Sequence, residues 1–197
     1  MDIGDLGYDA FMLPLELTAI RRIRRGLVPL ARGRVLEVGA GTGANLPFYR
    51  MEAIEGLDLA DPALSRRLCG ERCLGGVSVR GRCADVQELP FPAASFDTVV
   101  STLVFCSVDD PLRGLREVRR VLRAGGRYLF VEHVLPTSPV LARLAGAVTP
   151  LWCAFTGSCR LDRDTLGAVR EAGLSVTRLV RGWGGVLVYG EAEPAAS

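Results

Sequence analysis

Residues 34–43 read RVLEVGAGTG, and this stretch decides the fold. Arg34 to Val38 is a short run rich in β-branched and aliphatic side chains, which suits a buried strand. Gly39, Gly41 and Gly43 follow at alternate positions. Glycine lets the backbone turn sharply and approach a ligand closely, and a helix beginning behind such a turn offers unpaired N–H groups. The spacing is G-x-G-x-G, not the G-x-G-x-x-G of the dinucleotide fingerprint. Glu37 stands two residues before the first glycine, where a carboxylate suits a cationic ligand and would repel a pyrophosphate. Asp58 ends a second strand-like run, AIEGLDL at 53–59, well placed to hold ribose hydroxyls.

Working outward, the pattern keeps alternating. A helix over 10–30 precedes the glycine stretch, with Arg21, Arg22, Arg24 and Arg25 forming a solvated face. Asp61-Pro62 opens a helix after the second strand, because proline is preorganised for a first helical turn. Residues 77–80 form a weak third strand and 95–103 (SFDTVVSTL) a fourth, apolar almost throughout as a strand buried on both faces requires. From Asp110-Pro111, Leu112, Leu115, Val118, Val121 and Leu122 recur at helical spacing, with Arg113, Arg116, Arg119, Arg120 and Arg123 opposite. Residues 127–134 (RYLFVEHV) are a fifth strand, 162–172 a helix, and 174–181 with 185–190 a closing pair of strands around Gly182-Trp183-Gly184. Strands alternating with helices predict an α/β domain built on a parallel sheet, closed by a final hairpin. Its 197 residues contain neither an internal repeat nor a linker, so 1–197 reads as one domain.

Composition narrows the chemistry. All 24 basic residues are arginine and none is lysine. Phosphate transfer on a P-loop, protein-kinase chemistry, pyridoxal Schiff bases and lysine-dependent aldol chemistry are therefore excluded. A net charge of +2 is too even for a dedicated nucleic-acid binder. Cysteines at 69, 73, 83, 106, 153 and 159 form no C-x-x-C pair, and His133 is the one histidine. That spacing argues against structural zinc, and no residue is assigned to a metal. Asp2, Asp5 and Asp9 occupy the place of a basic leader region, so the expected compartment is cytoplasmic, with reduced thiols. Val134 to Cys159 carries one charge, Arg143, but Pro136, Pro139 and Pro150 interrupt it. It reads as an apolar lid or a lipid-touching surface rather than a spanning helix.

A ligand with a ribose, an adenine and a positively charged amino-acid end satisfies the glycine turn, Glu37 and Asp58 together. S-adenosylmethionine is such a ligand. The sequence resembles the class I S-adenosylmethionine-dependent methyltransferases from about residue 8 to 190. EVGAGTG resembles their first motif, GLDLADP the acidic strand end, CADVQELPFPAASFDTVVS the next two elements, and REVRRVLRAGGRYLFVEHV the helix and fifth strand of the ubiquinone/menaquinone and phospholipid branch. TLVFCSVDDP, EVRRVLRAGG, EHV and GSCRLDRDT are together most similar to the methyltransferase-like thiol S-methyltransferases. The resemblance implies a Rossmann-like, mostly parallel seven-stranded sheet in the order 3-2-1-4-5-7-6, with the last strand antiparallel and helices on both faces. Residues 1–31 would form an N-terminal helical cap and 135–160 the lid.

The resemblance also implies roles. Glu37 and the backbone of Gly39, Gly41 and Gly43 would surround the methionine part, Asp58 would take the ribose hydroxyls, and Leu59 would pack on the adenine. Asp85 would accept from the adenine amino group beside Val86. Thr102 and Leu103 would line the sulfonium, and Tyr8 would cap the cofactor. His133, at the end of the fifth strand, is the candidate catalytic base or acceptor-orienting group, while Cys106, Trp152 and Cys159 border the acceptor. Displacement at a sulfonium disperses positive charge, so the protein mainly positions and desolvates the reactants. A thiol needs at most a modest base, which makes a small, soft or apolar acceptor the expected partner. Phospholipid head groups, quinone precursors and arsenite are alternatives, the first two requiring the Arg-rich N-terminal helix to meet a membrane. A non-catalytic cofactor-binding protein is the remaining reading. Nucleic acid is not expected, since no N/D-P-P-Y/F tetrapeptide occurs.

Overall fold

The computed structural model describes residues 20–156 and 159–195, with the side chains of 155 and 156 excepted. Tyr8 and the first part of the expected 10–30 helix lie outside these residues. Eight strands form one sheet: β1 Gly33–Val38, β2 Ile54–Ala60, β3 Gly70–Leu74, β4 Val77–Arg82, β5 Phe96–Thr102, β6 Leu122–His133, β7 Leu174–Gly182 and β8 Leu187–Pro194. Their order is β3-β4-β2-β1-β5-β6-β8-β7. Strands β4, β2, β1, β5 and β6 run parallel, and β8 is inserted antiparallel between β6 and β7.

With β3 set aside, the seven expected strands stand in the expected order. The eighth is an edge hairpin that sequence reading missed. β3 pairs antiparallel with β4 across Gly75-Gly76, whose φ angles of +55° and +83° are those of a two-residue turn that matches strand twist. The Gly-Gly pair was the available signal; the charged run GERCL concealed the strand beside it.

Helices flank both faces. α1 (Arg21–Leu27) sets Leu27 into a cluster with Val35, Leu57, Val100 and Leu129. On the other face, α2 (Pro111–Val121) and α4 (Thr165–Glu171) bury Leu115, Val118, Leu166 and Val169 against Leu36, Val99 and Phe130. α2 begins as expected: Asp110 accepts the Arg113 N–H at 2.9 Å and Pro111 occupies the first turn. α3 (Pro139–Thr156) occupies most of the apolar segment.

Three local expectations are corrected. No α-helix follows the glycine turn: residues 41–45 form turns and Leu46–Phe48 a single 3₁₀ turn. Gly41 and Gly43 hold φ of +50° and +85°, and Pro47 cannot donate to a helical ladder. Asp61-Pro62 opens no helix either, because the Asp61 carboxylate bonds the Ala63 N–H two residues on at 2.7 Å, closing a turn. Among the N-terminal arginines, Arg21, Arg22 and Arg25 are exposed but Arg24 is buried.

Candidate functional site

Because the central strands are parallel, β1, β2, β4, β5 and β6 all end on one edge of the sheet. Glu37, Asp58, Asp85, Thr102 and His133 are brought to that edge from distant parts of the chain. Ligands bind at such an edge in open α/β sheets.

On one side of it, the glycine turn is laced to the end of β2. Gly39 N–H donates to Ala60 O at 2.7 Å, and Gly41 N–H donates to the Asp61 carboxylate at 2.9 Å. The glycines differ in role. A side chain at Gly39 would overlap Val104, and one at Gly43 would crowd Leu46 and Leu68 at 2.9 Å. At Gly41 the nearest atom would be Asp61 Oδ2 at 3.9 Å, so space stands open above the backbone there.

Glu37 is fully buried in the central strand, with Asn45 Nδ2 donating to one oxygen at 3.0 Å and the Tyr49 hydroxyl to the other at 2.7 Å. Burial lifts its pKa from 4.5 to about 7; the Tyr49 bond, the Arg24 charge and the Asn45 bond pull it back. Asn45 also donates to Thr102 Oγ1 at 3.1 Å, tying the glycine turn to the end of β5.

Asp58 is buried except for its contact with Arg82, whose Nε lies 3.9 Å away. Desolvation raises its pKa, opposed by Arg82, Arg80 and Arg34. Asp85 is exposed and accepts the Gln87 N–H at 2.8 Å, while Val86 is buried against the α2 face. Leu59 is fully buried in the cluster with Val100 and Leu129, so its side chain serves the core. Leu103 holds a left-handed φ of +58° as its N–H donates to Val131 O at 2.7 Å. Carboxylates on three strand ends around an open glycine backbone suit a ligand that is cationic at one end and carries hydroxyls.

The other side is built of softer groups. His133 ends β6 in a buried position, with Nδ1 3.2 Å from Cys159 Sγ. The sulfurs of Cys159 and Cys106 lie 3.4 Å apart. The Trp152 ring stands edge-on to His133, with centroids 6.3 Å apart. Hydrogen bonding from Cys106 lowers the Cys159 thiol, against burial and with help from His133 and Trp152; the same contact pushes Cys106 well up.

These groups are held by backbone lacing. The buried Glu132 carboxylate accepts the N–H groups of Val104, Phe105 and Cys106, each at 3.1 Å, and thereby shapes the turn after β5. Burial raises its pKa to about 7 despite those bonds. Arg160 N–H donates to Cys106 O at 2.8 Å, Arg163 donates to the Phe105 and Val108 carbonyls, and Thr165 Oγ1 donates to His133 O at 3.1 Å.

Helix α3 buries Ala145 and Thr149 and half-buries Trp152, yet it turns Val140 (72% exposed), Leu144 (60%) and Leu151 (64%) to solvent. Among the described residues no helix is long and apolar enough to cross a membrane.

Sequence reading missed Arg24, Asn45, Tyr49, Asp61 and Glu132. Two left a trace. Asn45 is the only asparagine in the chain and lies two residues past the last loop glycine. Glu132 is a charge directly after the buried run 128–131 of β6, where a carboxylate persists only with several donors.

A twisted, mostly parallel sheet with a glycine turn after β1 and an acidic end to β2 is the architecture of the class I S-adenosylmethionine-dependent methyltransferases. Residues 36–130 of this chain match the methyltransferase domain, and the chain is similar to members of that family. Over 162 residues it is 35% identical to a thiol S-methyltransferase of Homo sapiens, covering 77% of this chain and 64% of that one. Over 118 residues it is 38% identical to a phosphatidylethanolamine N-methyltransferase of Cereibacter sphaeroides, covering 59% and 58% respectively. The chain thus spans about three fifths of the length of these relatives. Among solved structures, a geranyl diphosphate methyltransferase in complex with S-adenosylmethionine shares the fold at a TM-score of 0.71 and 18% identity, over 98% of this chain and 93% of that one.

Proposed function

We propose that this chain transfers a methyl group from S-adenosylmethionine to a small thiol. The carrying observation is the group of soft, buried side chains, Cys106, His133, Trp152 and Cys159, gathered beyond the ends of β5 and β6. A thiolate is nucleophilic enough to need alignment and desolvation more than a strong base. The 35% identity to a thiol S-methyltransferase supports the same reading.

In this reading Glu37 and the glycine turn face the methionine end of the cofactor, Asp58 takes the ribose hydroxyls and Asp85 the adenine amino group. The cofactor supplies an electrophilic methyl on a cationic sulfur. Thr102 and Leu103 flank that sulfur, His133 orients the acceptor, and Trp152 excludes water from it. Purified protein is assayed with labelled S-adenosylmethionine against a thiol and its hydroxyl and amine counterparts of the same shape. Label in the thiol alone is the expected result; label in the hydroxyl or amine at comparable rate overturns the reading.

A second reading, methylation of a lipid head group, draws on the outward apolar stripe of α3 and the 38% identity to a phosphatidylethanolamine N-methyltransferase. Transfer to phosphatidylethanolamine vesicles, with none to thiols, would put it first.

A further inference from the structure

We infer that Cys106, His133 and Cys159 form a site for one thiophilic divalent cation of the zinc type, with a fourth position left for the acceptor's sulfur. The last clause rests on the thiol reading above; the site itself does not.

The three residues are buried, and their ligand atoms all lie within 4.8 Å of one another. Two of the separations, 3.4 Å between sulfurs and 3.2 Å from Nδ1 to Cys159 Sγ, are a little under the roughly 3.5–3.8 Å spacing of ligands on a tetrahedral zinc, given metal–ligand bonds of about 2.0–2.3 Å. A cation entering there needs those two edges to open by a few tenths of an ångström, while the third pair, Cys106 and His133, stands within 4.8 Å and closes onto it. Each ligand sits on a separately anchored backbone. Cys106 lies in the turn fixed by Glu132, His133 has its carbonyl bonded by Thr165, and the residue after Cys159 is tied to the Cys106 carbonyl. Such anchoring is what a preorganised ligand set requires.

Two thiolates and one neutral imidazole suit a borderline-soft dication and balance its charge. Two cysteines and one histidine on zinc, with the fourth position open, is a catalytic rather than a structural ligand count. Cys69, Cys73 and Cys83 are exposed and stand outside the group.

The open position gives the set a chemical use. An acceptor R–SH that binds there releases its proton to solvent and stays a thiolate at neutral pH, as ligating thiols do. Its sulfur lone pair then forms the new S–CH₃ bond as the donor's CH₃–S⁺ bond breaks, and that bonding pair neutralises the donor sulfur. The product is a neutral thioether, a poorer ligand than a thiolate, so it leaves.

The test is a cobalt titration of the whole protein, kept reduced with a phosphine so that no added thiol competes. One equivalent of Co²⁺ should develop thiolate-to-cobalt charge-transfer absorption and the intense visible bands of a four-coordinate site. Cys106→Ser and Cys159→Ser should abolish that spectrum, whereas Cys69→Ser should keep it. The lost spectrum counts only where circular dichroism and S-adenosylhomocysteine affinity show a folded protein. Should the serine variants not fold, X-ray absorption of the wild-type zinc form decides, by finding two sulfurs and one nitrogen or a different set. No four-coordinate spectrum in the wild type, or one that persists in the double serine variant, overturns the site. 2-Mercaptoethanol should then shift the visible bands, and its methyl thioether should not; an unmoved spectrum overturns the open position. A shifted spectrum without methyl transfer to any thiol leaves the cation site standing and removes the proposed function instead.

Discussion

The two sides of the sheet edge are made differently. The side proposed for the methyl donor is nearly contiguous: Glu37, the glycine turn, Asn45, Tyr49, Asp58 and Asp61 fall within 25 residues, and hydrogen bonds among them organise it. The side proposed for the acceptor draws Cys106, Glu132, His133, Trp152 and Cys159 from residues 106–159, a span of 54, and only the tertiary fold brings them into contact. A local site depends on its own short segment. A dispersed one depends on every connection that lands its parts together, so damage to it should spread further.

Glu132→Ala gives the largest effect, because Glu132 is the hub on the dispersed side. Removing the carboxylate strands three backbone N–H groups in a buried turn, which should cost about 3–5 kcal/mol in urea unfolding. A loss below about 1 kcal/mol would mean the turn holds itself, and the contrast between the sides would fail.

Glu37 tests the donor side by pH. Its carboxyl titrates at 4.5 when free and at about 7 when buried, so the folded state favours the protonated form. The resulting stability is fully present below pH 4.5 and is lost as pH rises through 7, about 3 kcal/mol in all. Glu37→Gln does not titrate, so its melting temperature should change less across that window than the wild type's. Parallel curves for the two proteins would assign the pH dependence elsewhere.

Asp58→Ala should weaken S-adenosylmethionine by roughly 1.5–3 kcal/mol in calorimetric titration, through loss of charge-assisted hydrogen bonds. Acceptor KM should move little. Unchanged cofactor affinity would remove Asp58 from the donor side.

Trp152→Ala should do the reverse, raising acceptor KM or lowering kcat while cofactor affinity stays within about threefold, roughly 0.7 kcal/mol. If it shifts cofactor affinity as strongly as Asp58→Ala does, the two sides act as one site.

The same contrast explains what the sequence disclosed. RVLEVGAGTG, the acidic end of β2 and the capped α2 helix encode their structure within a few residues, and each was legible. Local signals misled where a side chain had two uses. Asp61 looked like a helix opener, but its carboxylate bonds Gly41 and Ala63 instead. Arg24 looked like part of a solvated stripe, but it is buried close enough for its charge to lower the pKa of Glu37. The Cys106–His133–Cys159 cluster left no spacing to read, since its members are 27 and 26 residues apart. The lid expected over 135–160 is a helix whose outward stripe is apolar, and a one-dimensional count of charges does not distinguish its two faces.

Leu103 sits between the two sides in a backbone conformation that a leucine enters at a cost of about 1–2 kcal/mol. Glycine would adopt it freely. The leucine side chain packs against the cluster on the α1 face. A chain selected for heat resistance alone would find this position early, trading leucine for glycine and gaining a more relaxed turn. It would also slacken the short span between Thr102 and Cys106, which in the proposed reaction lies between donor and acceptor. In that proposed reaction thermal robustness and alignment would compete at a single residue, and engineering for the first should leave Leu103 as it is.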